Sequence, residues 1–529
     1  MTRLFLKIDN LNEWQFTLSV AFLISIIYLA LIRIDSFPDI MEGRNLVAAR
    51  ECIVDGHWLL TTMNGVPRVR KPPLPTWAAA LSMTAANDPN SIFAGRVPSV
   101  IMISLAGVFL YLLSRQWFEK SWSAFTAIIM ASSGIMLDVG RRATWDIFSF
   151  SFAIGGLWTL SIAMKGERKG FIWPLSSALL WGLSFLSKGP VSFYTILLPY
   201  LLALIITNGF RNIRWHIVAI VLIISTAIGA SWWLYIHSVY PDALRVLGEE
   251  ADAWGSRHVR SVFFYLPFPI FIFPWTSSFI GAVSIPFVKK GEERKRMLFF
   301  LLWCAIAILL LTLIPEKKER YAISAILPAS LAVSLFWQSI KDKRISGIPY
   351  YSYAFQKVQT AILSFAGAAI ITYFVITGRS LFLLLLAPPL IAIGVKIIKE
   401  KISDTAFTMI ILANIILIVA GSTIISGYLD KNFDLKGAAY VGKFTDGMEL
   451  YLYKRNEKLS WNIRRTHKII NRDQTPDELP TFILVEDIHF EDFNKWCASK
   501  NFNCREAYRF RYGLSGQWCM LYDIDRDRR

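Results

Sequence analysis

The stretch NGVPRVRKPPLPTW, residues 64–77, places Arg68, Arg70 and Lys71 within four residues. Pro72 and Pro73 follow and exclude a regular helix. Lys and Arg on a tight loop suit an anionic group such as a phosphate, which they hold through charge-assisted hydrogen bonds. Two more cation groups stand out: Lys188 in FLSKGP, and Lys317, Lys318 and Arg320 in IPEKKERY. The carboxylates that could accompany them are Asp39 and Glu42 just after Pro38, Asp146 in GRRATWDIF, and Glu249–Glu250 a few residues before Arg257 and His258. A carboxylate can take the proton of an attacking hydroxyl, and cations can stabilise an anionic leaving group. Plainer readings stand beside these. Asp39, Glu42 and Asp146 fall where helices begin and cap them well. Glu249 and Glu250 read as solvated charges, and single Lys residues snorkel to headgroups. No P-loop and no GxGxxG following a strand is found, so nothing points to a nucleotide.

The elements that must position these groups are apolar helices. Of 529 residues 54% are hydrophobic and 18% charged, against about 25% charged in a soluble protein. Runs of about 18 or more apolar residues recur, the length that crosses a bilayer as a helix. The first begins near Trp14 with no small-residue cleavage site behind it, and reads as a retained span. The net charge of +17 then reflects basic cytoplasmic loops rather than nucleic acid, which is not an expected partner.

Thirteen runs are expected as spans, near 15–33, 96–114, 121–138, 146–164, 171–187, 190–207, 215–233, 262–288, 297–314, 321–338, 357–377, 380–398 and 406–426. The loops alternate. One set, including MKGERKG, VKKGEERKRM and KDKRISG, is short and basic and reads as cytoplasmic. That orientation puts the N-terminus inside and loops 34–95, 139–145, 188–190, 234–261 and 315–320 outside. The three cation groups thus lie on the face where Lys and Arg should be scarce, which suggests an anionic partner at the outer membrane surface. Residues 45–53 read as an amphipathic helix with Leu46, Ala49 and Ile53 on one face, expected to lie on the membrane.

The first outer loop, MEGRNLVAARECIVDGHWLLTTMNGVPRVRKPPLPTW, resembles that of the GT-C glycosyltransferases related to protein O-mannosyltransferases. Its nearest likeness is the branch containing the lipid A aminoarabinose transferases. The matching positions are Glu42, Arg44, Gly56, Trp58, Asn64, Gly65, Lys71, Pro72, Pro73, Leu74 and Trp77. ATWD with Asp146, FLSKGP with Lys188, FPW ending at Trp275, and KKERYAISAILP with Tyr321 follow in order. The resemblance covers residues 15–340. It implies a polyprenyl-phosphate sugar donor, a lipid, glycan or protein acceptor, and catalysis at the outer face of a bacterial inner membrane. It implies that Lys71 binds the donor phosphate, that Tyr321 hydrogen-bonds it, and that Arg257 serves as a phosphate-binding arginine; Arg70, beside Lys71 in the basic loop, is expected at the same phosphate from its charge. It offers His258 as a metal ligand, and a divalent metal is the only cofactor it brings into view. Glu42 is the first choice for the catalytic carboxylate, Asp146 the second and Asp39 the reserve, because Met41 replaces the family's acid before Glu42. Arg70 stands where the family often has a glutamate before KPP, which weakens the case for a metal.

The expected fold is thus an α-helical polytopic membrane protein of GT-C type, with about thirteen transmembrane helices and a small extracytoplasmic C-terminal α/β domain. Its expected domains are 1–427, which carries outer loop 34–95, and 428–529. In the second, MELYLYKR, TFILVED and QWCMLYDID read as strands and HFEDFNKWCASK as a helix. Cys497, Cys504 and Cys519 there allow one disulfide and leave one thiol. The competing classes are a transporter of lipid-linked sugars, which would show repeated halves and midplane cations, and a polysaccharide ligase with a large central outer loop.

Overall fold

The computed structural model describes residues 12–34, 39–166, 170–256, 258–341, 347–376, 381–401, 403–432, 435–477, 479, 481–512 and 517–526. The chain forms two compact units. One comprises residues up to Leu31, Arg70–Leu74 and Ser99–Gly421, and the other comprises Ile32–Val69, Pro75–Pro98 and the chain from Ser422. Most of residues 34–95 cluster with the C-terminal domain rather than with the helices.

Every one of the thirteen apolar runs falls on a helix or a broken helix. Among the described residues seven helices are long and apolar enough to cross a membrane, or eight if the bent pair Lys120–Ala131 and Gly134–Gly140 is one span. Most of the other runs give helices such as Ile172–Lys188, Phe193–Asn208 and Thr276–Val288, of 17 residues or fewer. At 1.5 Å per residue such a helix reaches about 25 Å, short of the ~30 Å hydrocarbon core. The bent pair turns by 72°. Trp275, fully buried, donates to Ser132 Oγ at that break at 3.0 Å, which accounts for one landmark of the sequence.

In the second unit, Ile40–Val54 is a helix buried along most of its length, from Glu42 to Cys52. It is a core element of its unit and not the surface-lying amphipath expected from residues 45–53. Its Gly43 lies against the carbonyl of Glu457, where a Cβ would sit 3.1 Å from the oxygen. The C-terminal sheet has the order β4-β3-β5-β7-β6. Its strands are β3 Leu450–Tyr453, β4 Lys468–Ile470, β5 Thr481–Glu486, β6 Phe502–Tyr512 and β7 Gln517–Arg526. Alternation sorts the side chains. Leu450, Leu452, Leu484 and Leu521 pack with Val441 and Leu459 on one face. Tyr451, Tyr453, Ile483 and Tyr522 pack with Phe493 and Trp496 on the other. β3, β5, β7 and the helix Phe490–Lys500 are the elements read from sequence. Cys497 and Cys504 form the disulfide, and Cys519 is a buried thiol. Closing so short a loop contributes about 2–3 kcal/mol. A Cys497→Ser, Cys504→Ser pair should lower the unfolding temperature, and reductant should do so in the native chain but not in the variant.

Candidate functional site

In the first unit the sequence brings Asp146 and Lys188 together by a simple device. Asp146 stands in the first turn of the helix Trp145–Lys165, and Lys188 in the last turn of Ile172–Lys188. The two helices run antiparallel, with Ser184 bonded to Ser149 and Ser177 bonded to the Gly156 carbonyl. A Cβ on Gly156 would lie 2.6 Å from Trp181 Nε1, so glycine permits the close crossing. The acid thus sits at a helix N-terminus and the base at a C-terminus, each where the dipole favours it. Gly189, at φ +84°, ends the second helix and frees the Lys188 end.

Lys188 Nζ donates to Asp146 Oδ1 at 2.5 Å. Arg320 Nε lies 3.6 Å from Asp146 Oδ2. Lys71 is near enough to act electrostatically on the same carboxylate. Asp146 is 3% exposed and the cations are partly buried, so their fields are weakly screened. The ring of Tyr321 lies 4.7 Å from Lys188 Nζ and 5.8 Å from the Arg320 guanidinium. Asp146, Lys188, Arg320 and Tyr321 line an open cleft of about 340 Å³, with Ser149, Phe150, Val191, Ser192, Thr195, Ile196, Ile323 and Ser324.

The three cations of residues 68–71 go three ways. Lys71 acts on Asp146. Arg70 reaches Glu249 and Glu250 at 3.9 and 3.8 Å, within the first unit. Arg68 belongs to the second unit, where its Nη1 donates to the Arg44 carbonyl at 2.5 Å. Burial and the neighbouring Arg44 and Arg455 bring its pKa down to about 9, so it stays cationic at neutral pH. Lys317 turns to the Ile314 carbonyl and Lys318 to Glu316, which leaves Arg320 as the member of that group beside Asp146.

Glu42, the preferred catalytic acid, is fully buried in the second unit, and Arg96 donates to both its oxygens at 2.7 Å. A carboxylate so enclosed fits a structural pair and not a base that meets an acceptor. Asp39 is an N-cap whose Oδ1 accepts from the Glu42 amide at 2.7 Å. Arg44 binds Glu457 through Nε and Nη2 at 2.8 and 2.5 Å. The remaining loop landmarks also build the second unit. Trp77 donates to the Trp58 carbonyl. Asn64 and Gly65, at φ 56° and 73°, form the two-residue turn between β1 Thr62–Met63 and β2 Val66–Pro67.

Arg257 lies outside the described residues. His258 is exposed, and its carbonyl accepts from the Lys317 amide. Among the described residues the group with ligand atoms close enough for a metal is Glu51, Asp55 and His57, without His258. Its donors are engaged: Glu51 accepts from Thr62 Oγ1 and the amides of Asn64 and Gly65, His57 Nδ1 bonds Thr62, and Asp55 accepts from Thr466. That set supports the Asn64–Gly65 turn. Sequence reasoning did not count Arg320 among the site residues, though its basic cluster had been noted. It also passed over the four hydroxyls of the cleft, Ser149, Ser192, Thr195 and Ser324, and the partner Arg96. An arginine or serine inside an apolar run is the signal that was available for these.

Residues 70–234 match the family model for dolichyl-phosphate-mannose-protein mannosyltransferase. The undecaprenyl phosphate-alpha-4-amino-4-deoxy-L-arabinose arabinosyl transferase 2 of Proteus mirabilis is 24% identical over 56% of this chain, and the corresponding transferase of Pseudomonas aeruginosa strain LESB58 is 25% identical over 56%. The chain spans little more than half of these relatives, 55% and 54% of their length. The crystal structure of ArnT from Cupriavidus metallidurans bound to undecaprenyl phosphate superposes with a TM-score of 0.72 at 14% identity, covering 96% of this chain and 98% of that one. The helical architecture and the small terminal sheet are therefore those of ArnT. Family model, relatives and fold point the same way: the chain is similar in sequence to the aminoarabinose transferases and shares the fold of ArnT.

Proposed function

We propose that this chain is an integral membrane glycosyltransferase. It takes a sugar from a polyprenyl-phosphate donor and passes it to a lipid, glycan or protein acceptor at the periplasmic face of the inner membrane. The observation that supports this reading is the cation-rich cleft, where Lys188, Arg320 and Lys71 surround a single carboxylate, Asp146. Cations gathered in a partly buried site suit an anionic ligand. The relatives' names, which specify an undecaprenyl phosphate-linked aminopentose, favour a pentose over a hexose.

In the transfer, an acceptor oxygen forms a bond to the anomeric carbon, and the bond from that carbon to the phosphate oxygen breaks. Polyprenyl phosphate leaves with the bonding pair, and Lys71, Lys188 and Arg320 stabilise the charge it gains. Tyr321 offers its hydroxyl to the phosphate. Asp146 holds Lys188 and Arg320 in place. A hydroxyl acceptor would pass its proton to Asp146, whereas a phosphate acceptor needs no base.

The test uses purified full-length protein with lipid extract from its own source. Mass spectrometry follows sugar-bearing lipids and proteins over time, comparing wild type with Asp146→Asn. The expected result is one acceptor that gains a sugar mass, with the rate in Asp146→Asn down by about 10²-fold or more. No transfer by folded protein would move the reading to a transporter. Unchanged transfer in the variant would put the active site elsewhere.

A further inference from the structure

The cleft beyond the cations is walled by hydroxyls, and their protons are already committed. Ser184, behind the wall, donates to the Ser149 carbonyl at 2.8 Å. With its one proton on that carbonyl, Ser184 accepts from Ser149 Oγ at 3.1 Å and from Ser192 Oγ at 2.7 Å, the assignment that satisfies all three contacts. Thr195 donates to the Val191 carbonyl at 3.0 Å, and Ser324 to the Tyr321 carbonyl at 3.1 Å. Ser149, Ser192, Thr195 and Ser324 all line the cleft, and each is at most 6% exposed. What they turn toward the cleft is lone pairs. The wall is thus an array of hydrogen-bond acceptors below a cationic mouth. Thr195 also lies in a π-helical turn, Phe193–Leu197, a rare winding that recurs at functional sites.

Acceptor-only groups repel an ionised phosphate, which itself only accepts, and they bind groups that donate. Resting on the lipid-donor reading above, we propose that Ser149, Ser192, Thr195 and Ser324 form the subsite for the donor's sugar. They accept hydrogen bonds from its hydroxyl or ammonium groups, while the phosphate stays at Lys188 and Arg320. The polarity of the cleft fixes which way the donor enters.

The test measures equilibrium binding of the full chain to undecaprenyl phosphate alone and to undecaprenyl phosphate bearing mannose, galactose or 4-amino-4-deoxyarabinose. Wild type is expected to bind at least one sugar-bearing lipid more tightly than the bare lipid. Ser149→Ala and Ser192→Ala should each weaken that sugar-bearing lipid by about 3–10-fold and leave the bare lipid unchanged. Thr195→Val lies outside the Ser149–Ser184–Ser192 chain, so it keeps the test readable if the alanines unsettle the helix crossing. Equal weakening of both lipids would make the hydroxyls mere helix contacts and overturn the proposal. So would a wild type that prefers no sugar-bearing lipid over the bare one. If wild type binds neither lipid, the lipid-donor reading itself falls, and this subsite with it.

Discussion

Changing Lys71 to alanine is expected to slow sugar transfer by about 10²–10³-fold, the usual effect of removing one electrostatic stabiliser of a developing anion. Lys71 acts on the Asp146 carboxylate from a partly exposed position, so its loss removes one of three cations at the cleft. Thermal unfolding should therefore be unchanged while the rate collapses. Lys71→Arg should recover part of the rate, because the charge persists although the geometry changes. A rate within about threefold of wild type in Lys71→Ala, too small for a lost stabiliser, would mean that the phosphate is held elsewhere.

Arg96→Met should give the largest loss of stability, about 3–5 kcal/mol, as when one member of a buried ion pair is removed. Glu42 is fully enclosed and takes two 2.7 Å hydrogen bonds from Arg96, so the variant strands its carboxylate away from water. The double variant Arg96→Met, Glu42→Met should recover most of that loss, since an apolar pair of similar volume removes the desolvation penalty along with the attraction. Unfolding temperatures of the two variants in detergent decide the matter. If Glu42 instead served as a base, Glu42→Gln would keep its stability and lose its rate. That pattern would overturn the structural assignment.

Local physics was legible in the sequence, and long-range pairing was not. All thirteen apolar runs are helical because hydropathy is written residue by residue. The Asn64–Gly65 turn follows from two residues that tolerate positive φ. Asp146, Lys188 and Tyr321 were named from motifs, and the first unit does gather them. Glu42 was singled out by a motif as well, yet its environment depends on Arg96, 54 positions away. Nothing in the apolar stretch SIFAGRVPSV says whether its arginine meets lipid headgroups or a buried acid. The amphipathic pattern of residues 45–53 gave a lipid-lying helix because the elements that cover it come from the far end of the chain. The hydroxyl wall escaped notice for a related reason: a serine in an apolar run reads as neutral until its neighbours fix where its proton points.

The joining of Arg44 to Glu457 also bears on how the protein is made. The two residues are 413 positions apart, and Arg50 likewise bonds the carbonyls of Ser460 and Trp461. At about 5–20 residues per second, a ribosome needs roughly 20–80 s to pass from one to the other. For that interval the nascent helix Ile40–Val54 lacks the late-made partners of its Arg44 and Arg50. A truncation that removes Glu457–Trp461 would thus leave the early helix without the partners of Arg44 and Arg50.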